Sequence, residues 1–255
     1  MDPASLGLLL TAATLAGWVD AVVGGGGLLL LPALLIAVPG APVATALGTN
    51  KLAAIFGTST AALTYARRTR IDWRVAGPAA AIAVLVAGVG AALAGTIPAE
   101  AYRPAVLAVL VAVALFVTLR PSLGLHAAPG RRTPARAAAA IAIAGGGIAL
   151  YDGMIGPGTG TFLILAFTTV IGANFLHASA MAKLVNAGTN LGALIVFAST
   201  GHVMWQLGLA MAACNVIGAL IGSRMAIRRG AGFVRAVLLV VVLALIVKLG
   251  YDQFT

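Results

Sequence analysis

The sequence predicts an all-α integral membrane protein made of two inverted-topology repeats of about five transmembrane segments each, with helices broken at glycine-rich loops. Three observations carry that prediction. Composition is the first: 61% of the 255 residues are hydrophobic and 9% are charged, with a mean hydropathy of +1.07, far outside the range of soluble globular domains. The second is a match of the chain to itself at one fixed offset. The third is that each copy is interrupted at the same place by glycines that no helix could hold.

The apolar stretches fall at 5 to 22, 28 to 38, 42 to 66, 73 to 96 and 103 to 119, and then at 137 to 151, 160 to 172, 174 to 199, 205 to 223 and 234 to 249. Most have helix length rather than the ten-residue alternation of an outer-membrane barrel, so helices are expected. Residues 1 to 5 lack the basic region of a secretory signal, and the chain from Leu6 onward is read as mature membrane sequence. Between the two lists lies a basic linker rich in proline, Arg120 to Arg136. The expected organisation is a first membrane repeat over 1–123, a cytoplasmic linker over 124–136 and a second repeat over 137–255.

The two lists superimpose without a gap. Asp20 falls on Asp152, Gly24 on Gly156, Gly26 on Gly158, Lys51 on Lys183, Trp73 on Trp205, Gly90 on Gly222 and Arg103 on Arg235, since 152 − 20, 183 − 51, 205 − 73 and 235 − 103 all equal 132. Alanine and leucine would match by chance in this composition, but Asp, Lys, Trp and Arg are scarce here. An internal duplication follows.

Loop charges give the relative orientation of the copies. Arg67, Arg68, Arg70 and Arg74 flank one loop of the first half, whereas the matching loop at 199 to 204 has no Lys or Arg. Conversely, Arg224, Arg228, Arg229 and Arg235 crowd a loop whose counterpart carries only Arg103, opposed by Glu100. By the positive-inside rule, 67 to 74, 120 to 136 and 224 to 235 face the cytoplasm, and 97 to 102, 199 to 204 and the C-terminus face outward. Such a flip requires an odd number of crossings per repeat, hence five segments per half. Segment 28 to 38 is the short one: about 16 Å as a helix, it crosses only if the glycines run extended, and a re-entrant hairpin is the alternative there and at 160 to 172.

The formal charge of +10 does not indicate nucleic acid, because the basic residues sit in short loops and form no soluble domain. They read as topology signals and contacts to anionic lipid headgroups. A single cysteine, Cys214, excludes an internal disulfide.

The residues expected to carry function cluster at the breaks. Gly24, Gly25, Gly26 and Gly27 interrupt the first half, and Gly156, Gly158, Thr159 and Gly160 the second. Each glycine costs about 1 kcal/mol in a helix, and broken backbone at membrane depth is tolerated where it lines a cavity or is buried in protein. A helix beginning just after such a loop offers free N–H groups and the positive end of its dipole, which suit an anion. Tight helix packing is the structural alternative for the glycines. Lys51 and Lys183 each lie nine residues into an apolar segment, and an ionisable group at that depth marks a substrate or ion pathway unless it is a structural pair. Asp20 and Asp152 are the expected partners across the repeats, as counter-ions or proton-coupling groups. Thr49 and Asn50 accompany Lys51, while Asn186 and Asn190 follow Lys183 at helical spacing and so share its face. Trp18, Trp73 and Trp205 near segment ends read as interfacial anchors.

No cofactor, metal or catalytic residue is expected. His177 and His202 have no carboxylate or cysteine at metal-ligand spacing, the glycine loops lack the Lys-Ser/Thr ending of a nucleotide-binding loop, and no nucleophile motif appears. The expected partners are a small anionic substrate, protons as candidate coupling ions and membrane lipid. Glycines are numerous enough to support a homodimer interface, and they suit intrachain packing equally.

At Val19-Asp20-Ala21 with Gly24 to Leu28 and Pro32, at Ala46 to Leu52, at Tyr151-Asp152-Gly153 with Gly156 to Gly160, and at His177 to Lys183, the chain resembles the TauE/SafE family of membrane permeases. The resemblance covers essentially the whole chain. It implies a secondary transporter of the plasma (inner) membrane that exports small sulfur-containing anions such as sulfite or organosulfonates. Composition and periodicity by themselves leave a passive anion channel as the alternative.

Overall fold

The computed structural model describes residues 3–94, 119 and 124–254. The segment expected at 103 to 119 therefore falls, but for Leu119, outside the described residues, together with Arg103 and the loop at 97 to 102. Among the described residues the chain is helical and has no strand. In order come α1 (Pro3–Val23), α2 (Gly27–Ala37), α3 (Val43–Arg68) and α4 (Trp73–Leu93), then α5 (Pro134–Met154), α6 (Thr159–Ile171), α7 (Phe175–Ser199) and α8 (Trp205–Phe254).

Local chemistry sets the boundaries. α5 starts where Thr133 Oγ1 accepts the Arg136 N–H at 3.3 Å with Pro134 in the first turn, a favourable N-terminus. α7 starts where Asn174 Oδ1 accepts the His177 N–H at 2.8 Å. Within α5, residues Ala142–Ile148 widen into a π-helical stretch over three successive glycines, a bulge of the kind that re-aims a helix near a site. α8 is broken at Gly230, whose φ of 75° and ψ of −166° leave helical space and divide it into two arms.

Helices α1, α4, α5, α7 and the Trp205–Val241 part of α8 are long and apolar enough to cross a bilayer. At 26 residues, α3 has the length but carries a polar face, which it turns inward. Its Thr49, Asn50, Lys51 and Thr58 are buried.

The two short helices are hairpin arms. Arg136, in the first turn of α5, donates to the Val170 carbonyl in the last turn of α6 at 3.4 Å, and Arg131 donates to Thr169 O at 3.3 Å. So α6 returns to the side from which α5 set out, its C-terminal carbonyls met by guanidinium groups. In the first half, an added Cβ on Gly26 would lie 2.6 Å from Ala16 O and 2.7 Å from Asp20 Cβ, which places Gly26 back against α1. Leu30, Leu31 and Leu34 of α2 join Leu9, Ala13 and Ala16 of α1 in one apolar cluster. The extended glycine stretch considered for a full crossing at 28 to 38 does not form, because the Gly24 N–H closes on Asp20 O at 2.8 Å and the Leu28 N–H on Gly25 O at 3.1 Å. At 11 and 13 residues, α2 and α6 measure about 16 and 20 Å, short of a hydrocarbon core of about 30 Å.

Packing exchanges partners between the halves. α1 lies along α8 as α5 lies along α4, and α4 packs on α7 as α8 packs on α3. Matched residues make matched contacts: a methyl on Gly90 would stand 2.4 Å from Leu150 O, and one on Gly222 would stand 2.6 Å from Trp18 O. Both pairs are related by 222 − 90 = 150 − 18 = 132.

Trp73 and Trp205, at the starts of α4 and α8, are 57% and 53% exposed, as interfacial anchors would be. Trp18 is half-buried instead. It is packed edge-on against Phe233 and donates to Met225 Sδ at 3.3 Å, because α1 inserts into the bundle and brings its indole to the α8 break. On the side carrying the basic linker, Arg132 makes two hydrogen bonds to Asp72, between α3 and α4. The guanidinium holds the Asp72 carboxyl below the usual carboxylate range.

Candidate functional site

Where the two hairpin tips meet, four ionised side chains cross between the halves. Lys51 of α3 donates to Asp152 Oδ2 of α5 at 2.6 Å, and Lys183 of α7 donates to Asp20 Oδ2 of α1 at 3.2 Å. Each pair joins one half to the other, and the two pairs are related by the 132-residue offset. Lys51, Asp152 and Lys183 are 2%, 2% and 0% exposed. A buried charge is costly unless paired and hydrogen-bonded, and here the four charges sum to zero.

The surroundings of the two carboxylates differ. Thr159 Oγ1 lies 2.6 Å from Asp152 Oδ1 and 2.7 Å from Gly156 O, and gives its one proton to either. Asp20 Oδ2 accepts from Thr58 at 3.1 Å as well as from Lys183, and Asn190 Nδ2 donates to Thr58 Oγ1 at 3.3 Å. A chain of donors thus runs from α7 through α3 to α1. Thr58 and Asn190 are themselves counterparts in the repeat.

These groups border a cavity of about 30 Å³, room for roughly two water-sized bodies. Asp20, Lys51 and Asp152 line it, with Gly24, Gly26 and Gly27 on one wall and Gly156, Gly158 and Thr159 on the other. Asn50, Asn186 and Asn190 contribute amides. Asn50 Oδ1 is buried without a partner among the described residues. The N–H groups of Leu28 and Leu29 close on Gly25 O and Gly26 O, so the free donors of this helix start shift back to the glycines themselves.

Four residues expected at the site stand outside the cavity wall. Thr49 is committed to packing: its hydroxyl donates to Thr45 O at 2.7 Å and accepts the Met204 N–H at 3.0 Å. Gly25 faces Val19 and Val241. Gly160 spends its N–H on Gly24 O at 3.1 Å and sits so close to Gly24 that a Cβ on it would lie 2.3 Å from Gly24 Cα. Lys183 lies behind Asp20 and meets the cavity only through it.

Sequence reasoning missed three residues of the cavity wall, and Tyr65 and Thr161 behind it, though Ser179 belongs to the polar cluster around Lys183. Leu30, Ala54 and Asn215 complete the wall. Asn215, whose Nδ2 donates to Ala13 O at 3.1 Å, carried a signal, being the one amide in the apolar run 205 to 223 apart from Gln206 at its start. Tyr65, Ser179 and Thr161 donate to the carbonyls of Ala21, Val22 and Val23 at 2.9 Å each. These three successive carbonyls end α1 and would otherwise be left bare. No spacing rule links three hydroxyls on three helices to one helix end.

Gly24 and Gly156 hold φ of 78° and 92°, backbone that glycine adopts at little cost. The matched left-handed turns follow both aspartates by four residues, where each helix ends.

Among known proteins, the family described as sulfite exporter TauE/SafE matches the chain over residues 9–249. A protein of Sinorhizobium sp named "Probable membrane transporter protein ORF9" is 38% identical over 247 residues, covering 97% of this chain and 93% of that one. "Probable membrane transporter protein YfcA" of Escherichia coli K12 is 35% identical over 253 residues, covering 99% and 92%. A "Probable membrane transporter protein" of Haemophilus influenzae is 31% identical over 248 residues, covering 97% and 95%. No solved structure matches the chain. With its glycine-broken hairpins and its length matched end to end by these relatives, the chain belongs to the TauE/SafE family and is a multi-pass membrane transporter.

Proposed function

We propose that the protein is a secondary transporter that exports a small sulfur-containing oxyanion, such as sulfite or an organosulfonate, across the plasma membrane. Its two repeats are inverted and enclose one midplane site. The observation that carries this reading is the crossed arrangement of Lys51 with Asp152 and Lys183 with Asp20 around a cavity bordered by two helix starts. The sulfur chemistry comes from the family description alone.

The mechanism follows from charge balance. The four groups are neutral together, so an entering anion leaves a net negative charge in a low-dielectric setting. Displacement of Asp152 from Lys51 by the anion leaves the net charge unchanged, so neutrality returns only when a carboxylate takes up a proton, one for each negative charge that enters. Amide hydrogens of Gly26 and Gly27, together with Asn50 and Asn186, supply further donors without added charge. Asn50 Oδ1, which lacks a donor, would accept one from a protonated oxyanion. Because each ion pair joins one half to the other, loosening a pair on binding permits the halves to rock and expose the site alternately.

A passive channel requires a pore open to both faces at once, whereas alternating access exposes the site to one face at a time. Flux in reconstituted vesicles tests both readings. Sulfite should move uphill when a pH difference is imposed, and a Lys51→Ala/Asp152→Asn variant that purifies as a folded protein should not move it. Dissipation of gradients without uphill movement would mean a channel, and flux at the normal rate in the variant would remove the site.

A further inference from the structure

A second cavity, of about 460 Å³, lies away from the hairpin tips between the end of α3 and the first arm of α8. Arg67, Arg68, Arg224 and Arg228 line it together with Leu220 and Ile227. The arginines come from two helices distant in sequence, and all four are exposed. None of the three described carboxylates outside the C-terminal arm reaches them: Asp20 and Asp152 are held by the lysines, and Asp72 by Arg132. Four guanidinium groups sharing one hollow repel one another unless an anion enters it.

The depth and the flanks of the hollow identify the anion. Arg67 follows Lys51 by 16 residues on α3 (67 − 51), about 24 Å along the helix, which carries it from the level of the ion pairs to the membrane surface. On the membrane side of the arginines, Leu63, Ile217 and Ile221 are 59%, 54% and 49% exposed. A ligand with a phosphate at the arginines and hydrocarbon over these side chains satisfies both surfaces. Guanidinium forks match phosphate oxygens two at a time.

We infer that this cavity binds the phosphodiester headgroup of an anionic phospholipid, clamping α3 to α8 at the cytoplasmic face. The lipid bridges the helix bearing Lys51 and the helix that packs along α1.

Native mass spectrometry of the full-length protein in detergent, titrated with phosphatidylglycerol and phosphatidylcholine, tests the inference. The wild type should retain phosphatidylglycerol with a preference of at least roughly tenfold. An Arg67→Gln/Arg68→Gln/Arg224→Gln/Arg228→Gln variant should lose that preference, with Arg224→Gln/Arg228→Gln as the milder form should the fourfold change not fold. Arg70→Gln/Arg74→Gln removes basic residues of the same loop that do not line the cavity, and should keep it. Equal loss in that control would reduce the effect to general surface charge and overturn the site. Inorganic phosphate in millimolar excess should leave the lipid bound. Complete displacement would make the hollow a site for soluble oxyanions and would also overturn the inference.

Discussion

Asp152 and Lys51 illustrate how a group can be indispensable without adding stability. Both side chains are about 3% exposed and lie 2.6 Å apart, so the attraction between them is set against the loss of hydration for each. Removing one partner strands the other. Lys51→Met or Asp152→Leu alone should therefore cost about 3–5 kcal/mol, and the double variant Lys51→Met/Asp152→Leu should recover most of it, since two apolar groups need no counter-charge. Thermal unfolding of the four proteins of this cycle in one detergent measures the coupling. Strictly additive costs would show that the ion pair in the structure is not an energetic unit. Asp20 stands in wetter surroundings, with 13% of its side chain exposed, and it borders the cavity directly. That makes Asp20 the carboxylate better placed to exchange a proton with solvent, and Asp20→Asn should flatten the pH dependence of transport in vesicles while also lowering stability, since it strands the buried Lys183.

At the scale of elements, the two glycine turns look alike but are not equally constrained. An alanine at Gly24 would combine a φ of 78° with a Cβ 2.2 Å from Gly160 Cα, whereas at Gly156, with φ of 92°, the nearest atom is 3.5 Å away. Gly156→Ala should cost only the backbone strain, about 1–2 kcal/mol. Gly24→Ala should cost that plus about 1–3 kcal/mol for forcing the hairpin tips apart. Equal shifts in melting temperature would mean that the tips are not in contact. The lysines and their aspartate partners were legible in the sequence because scarce residues repeated at one spacing, and the glycines because they interrupt an apolar run at the same place in each half. The hairpins stood there only as the alternative to full crossings, since hydropathy measures the length of an apolar run and says nothing of its direction; the return of α6 rests on Arg136 reaching Val170 O, a contact across 34 residues. Likewise, the failure of Thr49 to reach the cavity depends on which side of α3 meets the loop before α8. Outside the membrane, the Asp72–Arg132 link ties the α3–α4 connection to the start of α5. Its folded carboxyl titrates below the ordinary range, so its contribution is full above the unfolded carboxylate value, near 4, and fades as pH falls through the depressed one. Melting temperatures followed from neutral to acid pH should fall less steeply for Asp72→Asn than for the wild type.

For the molecule as a whole, the exchange of partners between halves constrains any motion the transporter makes. A contact from the first half to the second recurs from the second to the first at Lys51–Asp152 and Lys183–Asp20, and again at Gly90–Leu150 and Gly222–Trp18. A movement that opens one of each pair can therefore have a mirror movement that opens the other, which alternating access needs. Whether the mirror relates opposite faces of the membrane depends on the sense of the repeats. Each hairpin returns to the side it left, so the connection after α2 and the linker before α5 report the starting faces of the two halves. Gly40 and Gly130 are exposed at those places, with no atom near enough to hinder a side chain. In a Cys214→Ala background, a membrane-impermeant thiol reagent should label Gly40→Cys from outside the cell and Gly130→Cys only after the membrane is opened. Labelling of both from one face would make the repeats parallel, and the two-sided access proposed for the ion-pair cavity would then lose its structural basis.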